Sequence, residues 1–197
     1  MTPLLVLVVA YLAGGIPFGY LLVRIKTGRD VRTMGSGNIG ATNVLRTTGR
    51  AVAVITLILD IGKGLFAVWL AAKLTTESPL WMSAAALAVM AGHAYPVFLK
   101  FRGGRAVASF IGAFLYLTPV PLLASLALFV IVVAATRYIS LGSIVAAGSL
   151  PLGVWLIEHP PMPVLIAALA AGVFIIYRHS ANIARIRAGN EHVFRFK

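Results

Sequence analysis

The chain has 197 residues, 60% of them hydrophobic, and a mean hydropathy of +0.95, a balance that excludes a soluble domain and points to a polytopic membrane protein. Seventeen Lys and Arg stand against five Asp and Glu, a formal net charge of +12. The basic residues fall between apolar runs, so they read as positive-inside topology and contact with anionic headgroups, not as a nucleic-acid surface. There is no cysteine, which excludes disulfides, thiolate catalysis and Cys-based zinc sites.

A membrane span needs roughly 20 apolar residues. The first runs from about Pro3 to Val23; it has no basic n-region and reads as a retained transmembrane helix, with Gly14, Gly15, Pro17 and Gly19 marking a kink or close helix contact. The second runs from about Ala51 to Ala72 and the third from about Leu80 to Leu99. Ala106 to Thr136 is too long for one straight span, and "TPVP" at Thr118–Pro121 breaks it, because proline lacks a donor and restricts the residue before it. It reads as two spans, 106–118 and 120–136, with a single kinked helix as the alternative. A sixth follows at Leu141–Ile157, "EHPPMP" makes a turn at Glu158–Pro163, and a seventh runs from Val164 to Tyr177 before a polar tail. The expected fold is therefore an all-α polytopic membrane protein of seven transmembrane helices, forming a single domain over 1–197.

Charge orients it. Arg24, Lys26, Arg29, Arg32, Arg46 and Arg50 follow span 1; Lys100, Arg102 and Arg105 follow span 3; Arg137 follows span 5. Arg178, Arg185, Arg187, Arg195 and Lys197 lie in the tail. The opposite loops hold only Lys73. The positive-inside rule then places the N-terminus outside and the C-terminus in the cytoplasm.

Three stretches on the basic face carry groups suited to phosphate. "MGSGNIGATNVLRTTGR" (34–50) combines Gly35, Gly37 and Gly40, which permit close backbone approach and can turn N–H groups toward an anion, with Ser36, Asn38, Thr42, Asn43 and Arg46. If 38–46 is helical, Asn38, Thr42 and Arg46 fall four apart on one drifting face. "GHAYPVFLKFRGGRAVAS" (92–109) sets Gly103–Gly104 between Arg102 and Arg105 at the start of an apolar run, where a glycine loop presents unpaired amides. His93 reads equally as a core or capping histidine and as a functional one. "YRHSANIARIRAGNEH" (177–192) puts His179 and Asn182 three apart, on one face if the seventh helix continues. Asp60 and Lys63 in "LDIGKG" have the spacing of an intrahelical ion pair and read as structural. Ser140 and Ser143 read by position as helix caps.

Together these motifs resemble the bacterial membrane glycerol-3-phosphate acyltransferases that use acyl phosphate as donor, the PlsY family. "GSGNIGATNVLR", "GHAYPVFLKFRGGRAVAS" and "RHSANIARIRAGNEH" are similar to that family's three cytoplasmic motifs, in order, and "LDIGKG" and "RYISLGSI" also look familial. The resemblance implies seven spans with the N-terminus outside. It implies transfer of a fatty acyl group from acyl phosphate to the 1-hydroxyl of glycerol 3-phosphate, giving lysophosphatidic acid and phosphate in a bacterial cell inner membrane. It implies that Ser36 and Arg46 hold glycerol 3-phosphate, that His179 and Asn182 contact substrate, and that Asn38, Thr42, Ser143 and the Gly103–Gly104 backbone line the donor phosphate. His179, Asn182 and Ser36 are the catalytic candidates, and Glu191 matches a structurally important acid. The chain departs from the family at Arg105, where a phosphate-contacting lysine is expected, and at Ala106, where glycine is expected and where alanine disfavours a positive φ.

The donor is an activated mixed anhydride, so the chemistry asks for positioning and charge neutralisation and needs no covalent nucleophile. The residues five after His93, His159, His179 and His192 are Phe98, Val164, Ala184 and Lys197, so a His–Asp acyltransferase base finds no support. Proton removal falls to His179 or to a substrate phosphate oxygen. No cofactor is expected, and five scattered acids suggest no metal site. The expected partners are glycerol 3-phosphate, fatty acyl phosphate and membrane lipid, not nucleic acid. The competing readings are a transporter of anions or phospho-metabolites and a non-catalytic lipid-binding paralogue.

Overall fold

A computed structural model describes residues 3–194. Arg195 and Lys197, counted above with the basic tail, lie outside the described residues. Among the described residues every regular element is helical, and the chain divides into two compact units, Met1–Tyr116 and Leu117–Lys197.

The first unit opens with α1 (Pro3–Gly15) and α2 (Phe18–Thr27), which together make an apolar stretch of 25 residues. The interruption at Ile16–Pro17 is where proline removes a donor, which is the kink the Gly/Pro cluster implied. A 3-10 turn at Val31–Thr33 and the short α3 (Ala41–Thr48) precede α4 (Arg50–Leu74), whose 25 residues rise about 37 Å, enough to cross a bilayer. α5 (Pro79–Ala94) and a 3-10 turn at Val97–Leu99 lead through a glycine loop to α6 (Val107–Leu117). Small residues bring these helices together. Gly14 of α1 packs on the Val89 carbonyl of α5, and Gly92 of α5 packs on the Tyr11 carbonyl of α1. Gly64 of α4 and Gly112 of α6 meet the Ser109 and Ile61 carbonyls in the same way. A β-carbon at any of these four positions would collide with backbone.

The second unit is a helical hairpin with a third helix packed on it. α7 (Pro119–Thr136) and α8 (Ile139–Ile157) pack against each other, and α9 (Met162–Arg178) packs on α8. α10 (Ser180–Arg187) leaves α9 at a 55° bend centred on His179. The apolar run 106–136 is therefore two helices, α6 and α7, divided at Thr118; the single kinked helix is not formed.

Among the described residues, five segments are long and apolar enough to cross a membrane, with α9 and α10 a sixth if the bent pair counts as one span. α6 has 11 residues, a rise of about 16 Å against a hydrocarbon core of about 30 Å. Large side chains such as Ile58, Trp69, Ile131, Leu156 and Val173 project outward along the long helices, as a lipid-facing surface requires.

Candidate active site

In the first unit, the stretch 34–50 is a loop followed by a helix, and its organiser is Asn43. This side chain is 1% exposed. Its Oδ1 accepts the Ser36 amide at 2.8 Å, and its Nδ2 faces the carbonyls of Asn38 (2.8 Å), Met34 (3.0 Å) and Val31 (3.3 Å). Gly35 and Gly37 have φ of 57° and 72°, the left-handed turn that lets the loop wrap around this amide; a β-carbon on Gly35 would strike Asn43 Oδ1. The loop rests on an apolar cluster of Val23, Val31, Ile39, Val44, Val52, Ala53 and Leu99. Upstream, the Asp30 side chain accepts the Arg32 amide at 2.9 Å and pairs with its guanidinium at 2.7 Å. These hydrogen bonds from Arg32 outweigh the effect of burial and hold the Asp30 carboxyl below its ordinary range.

Two expectations for this stretch need correction. Asn38 is not helical: its Oδ1 accepts the Gly40 amide at 2.8 Å in an Asx turn, and the helix begins at Ala41. Only Thr42 and Arg46 share a helical face. The amides of Ser36, Gly37 and Gly40 are also not turned to an anion, because they are bonded within the loop. The groups turned outward are side chains: Arg46 is exposed, and Ser36 and Thr42 are half-buried.

The glycine loop shows the same economy. The Gly103 amide donates to the Ala94 carbonyl at 3.2 Å and the Gly104 amide to the His93 carbonyl at 3.1 Å. These amides close the end of α5, contrary to the expectation that they stand unpaired. Ala106 adopts φ +62°, so the left-handed conformation is present despite the alanine, and Arg105 before it is half-buried. His93 is a satisfied core residue, its Nδ1 3.2 Å from Ser109 Oγ. Asp60 and Lys63 form the anticipated ion pair at 2.7 Å.

In the second unit, the α9–α10 bend, the start of α8 and the tail converge on Glu191. Its Oε1 accepts from Asn182 Nδ2 at 2.8 Å and Ser140 Oγ at 3.2 Å, and its Oε2 accepts from Arg185 Nε at 2.8 Å. Burial acts to raise this carboxyl, but the bonds from Asn182, Arg185 and Ser140 and the Arg185 charge prevail and hold it below the ordinary glutamate value. The Phe194 amide ties the tail to the Arg137 carbonyl at 2.8 Å. Asn182 Oδ1 and Arg185 Nη2 are buried without a hydrogen-bond partner among the described residues. His179 is 2% exposed, and its Nδ1 lies 2.8 Å from the Ile175 carbonyl. A carbonyl can only accept, so Nδ1 carries a proton in this contact. His179 and Asn182 are neighbours across the bend, joined by the Asn182 amide to the His179 carbonyl at 2.8 Å.

Neither serine of α8 is a cap: Tyr138 occupies that position with no side-chain bond. Ser140 serves Glu191, and Ser143 donates back to the Ile139 carbonyl at 2.9 Å. Sequence reasoning missed Asn43, Ser140 and Arg185 as organisers. Their bonds span 5 to 51 residues, and no local spacing signals such a partner.

Fold and polar clusters together define an integral membrane protein of packed apolar helices with buried polar networks at the helix ends. The comparisons give this class its family. The family model described as glycerol-3-phosphate acyltransferase matches residues 4–189, and the chain belongs to that family of acyltransferase enzymes. It is 48% identical over 195 residues to the glycerol-3-phosphate acyltransferase of Geobacter sulfurreducens, covering 99% of each chain. To that of Geotalea daltonii it is 45% identical, covering 99% of this chain and 100% of the other. Among solved structures it is similar to the glycerol 3-phosphate form of PlsY (YgiH), an integral membrane glycerol 3-phosphate acyltransferase. That match has a TM-score of 0.93 and 38% identity and covers 99% of this chain and 96% of the other. The lysophosphatidic acid form of PlsY aligns with a TM-score of 0.89 and 36% identity over the same shares.

Proposed function

We propose that this acyltransferase moves a fatty acyl group from acyl phosphate to the 1-hydroxyl of glycerol 3-phosphate. The whole chain 1–197 acts as one domain in a bacterial inner membrane, with seven spans, the N-terminus outside and the working residues facing the cytoplasm. The asymmetry of the basic loops supports that orientation.

The hydroxyl oxygen attacks the acyl carbonyl; the new C–O bond forms as the bond to the phosphate oxygen breaks, and inorganic phosphate leaves. The observation that carries this reading is the His179–Asn182–Glu191 arrangement. Glu191 holds the Asn182 amide by its Nδ2 and leaves the buried Oδ1 to accept a hydrogen bond from a substrate hydroxyl. His179, its Nδ1 held at the Ile175 carbonyl, is one candidate to take the hydroxyl proton, and a phosphate oxygen of the substrate is the other acceptor. Ser36 and Arg46 hold the acceptor's phosphate; Arg is suited to this because its guanidinium binds phosphate bidentately. Asn38, Thr42, Arg105 and Ser143 serve the donor phosphate, Ser143 by turning its hydroxyl off the Ile139 carbonyl. Gly103 and Gly104 contribute the close approach of their backbone, since their amides are engaged.

Steady-state kinetics in lipid test the assignment. Arg46→Ala raises KM for glycerol 3-phosphate at least tenfold, the value of one charge-assisted phosphate contact of about 1.5–3 kcal/mol. An unchanged KM moves the acceptor elsewhere. His179→Gln lowers kcat and removes the acidic limb of the pH–rate profile; full turnover with an unchanged profile assigns the proton to phosphate.

A further inference from the structure

Asp60, Lys63, His93 and Ser109 come from three helices, α4, α5 and α6, and all are buried. Within a span such groups are costly, and an ion pair there is a poor stabiliser compared with apolar residues of the same shape. Their geometry points to a different use. Lys63 Nζ lies 2.7 Å from Asp60 Oδ1. It donates to the Ile16 carbonyl at 2.9 Å, at the break between α1 and α2, and sits 5.6 Å over the Phe18 ring. Asp60 Oδ1 is also 3.7 Å from His93 Nδ1, the ring atom that meets Ser109 Oγ at 3.2 Å. The opposite edge of that ring is the floor of the glycine loop. A β-carbon built on Gly104 would strike His93 Nε2 and fall 2.8 Å from Cδ2 and 3.4 Å from Cε1. The main chain repeats the contact, since the His93 carbonyl holds the Gly104 amide.

We propose that Asp60, Lys63, His93 and Ser109 form a buried positioning relay. It fixes the rotation of the His93 ring, and through that ring the height of the Gly103–Gly104–Arg105 loop, so that it governs productive binding of the acyl-phosphate donor and not of the acceptor. All four are buried, so they are assigned as positioning residues. The consequence for the donor rests on the reading that this loop serves the donor phosphate; the mechanical coupling does not.

The full-length protein in nanodiscs is assayed with palmitoyl phosphate and glycerol 3-phosphate varied separately. Gly104→Ala and Asp60→Asn each raise KM for palmitoyl phosphate about tenfold and leave KM for glycerol 3-phosphate within about twofold. Where Asp60→Asn does not fold, the Asp60→Asn, Lys63→Met pair, which strands no charge, replaces it. His93→Ala with Gly104→Ala is about tenfold less impaired in kcat/KM than the product of the two single losses, because the smaller side chain makes room; coupling of that size is usual for residues in contact. The chain has no cysteine, so a spin label on Arg102→Cys, an exposed position, reports the loop alone. Its spectrum changes in the Asp60 and Gly104 variants. An unchanged spectrum, or additive losses in the double variant, overturns the relay. A changed spectrum and non-additive losses with an unaltered donor KM uphold the relay and instead overturn the assignment of this loop to the donor.

Discussion

Asn43→Ala removes one buried side chain and leaves the Ser36 amide and the carbonyls of Val31, Met34 and Asn38 without their partner. The amide has two hydrogens for its three carbonyls and one oxygen for Ser36, so three full hydrogen bonds are lost. At about 0.5–1.5 kcal/mol net for each bond, the loop loses about 2–4 kcal/mol of ordering free energy. The side-chain hydrogen bonds of Asn43 go to loop backbone, so this cost falls on the conformation that holds Ser36 and Arg46. It appears as a fall in kcat/KM for glycerol 3-phosphate of about 30- to 1,000-fold, since each 1.36 kcal/mol is tenfold. Asn43→Asp is the control. It keeps an acceptor for Ser36 but turns a carboxylate oxygen toward three carbonyls, so it is at least as damaging as alanine. Phosphate release in nanodiscs, with a thermal unfolding curve for each variant, separates loop disorder from global loss. Wild-type kcat/KM in a folded Asn43→Ala protein would refute the role assigned to this residue.

Glu191→Gln sets an amide against Arg185 Nε and costs about 1–3 kcal/mol, read as a lower unfolding midpoint at pH 7. The native Glu191 carboxyl is held below its ordinary 4.5, so the stability it contributes is complete above that pH and is lost as pH falls through the lowered value. The Gln variant lacks that share of the acid sensitivity, which unfolding curves between pH 7 and pH 3 measure. Ala106→Gly is close to neutral, within about 1 kcal/mol. Relief of a left-handed alanine worth about 1–2 kcal/mol is offset by about 0.4–1 in chain entropy and about 0.8 for the buried methyl. A loss of about 1.2–1.8 kcal/mol, the two costs with no relief to offset them, would show that the +62° φ carries no strain.

The helices were legible because membrane burial writes long apolar runs and proline interrupts them. The break at Thr118–Pro119 and the kink at Ile16–Pro17 both follow from a missing amide donor. The Asp60–Lys63 pair was legible because its spacing is local. What escaped is non-local or depends on conformation. Asn43 looked like one polar loop residue among several, and only the folded turn reveals that it gathers four backbone groups. The amides of Gly37, Gly40, Gly103 and Gly104 seemed available because glycine licenses exposure, yet each closes a turn instead. Ser143 looked like a cap, but the helix already begins at Ile139. Alanine at 106 argued against a positive φ, yet the residue adopts one.

The most direct test of the activity is phosphate release by the purified protein in lipid, supplied with palmitoyl phosphate with and without glycerol 3-phosphate, and with palmitoyl-CoA as the control donor. The expected result is release that requires glycerol 3-phosphate, occurs with palmitoyl phosphate and not with palmitoyl-CoA, and matches the lysophosphatidic acid formed mole for mole. Folded protein that binds glycerol 3-phosphate but releases no phosphate, or that turns over palmitoyl-CoA equally well, would contradict it.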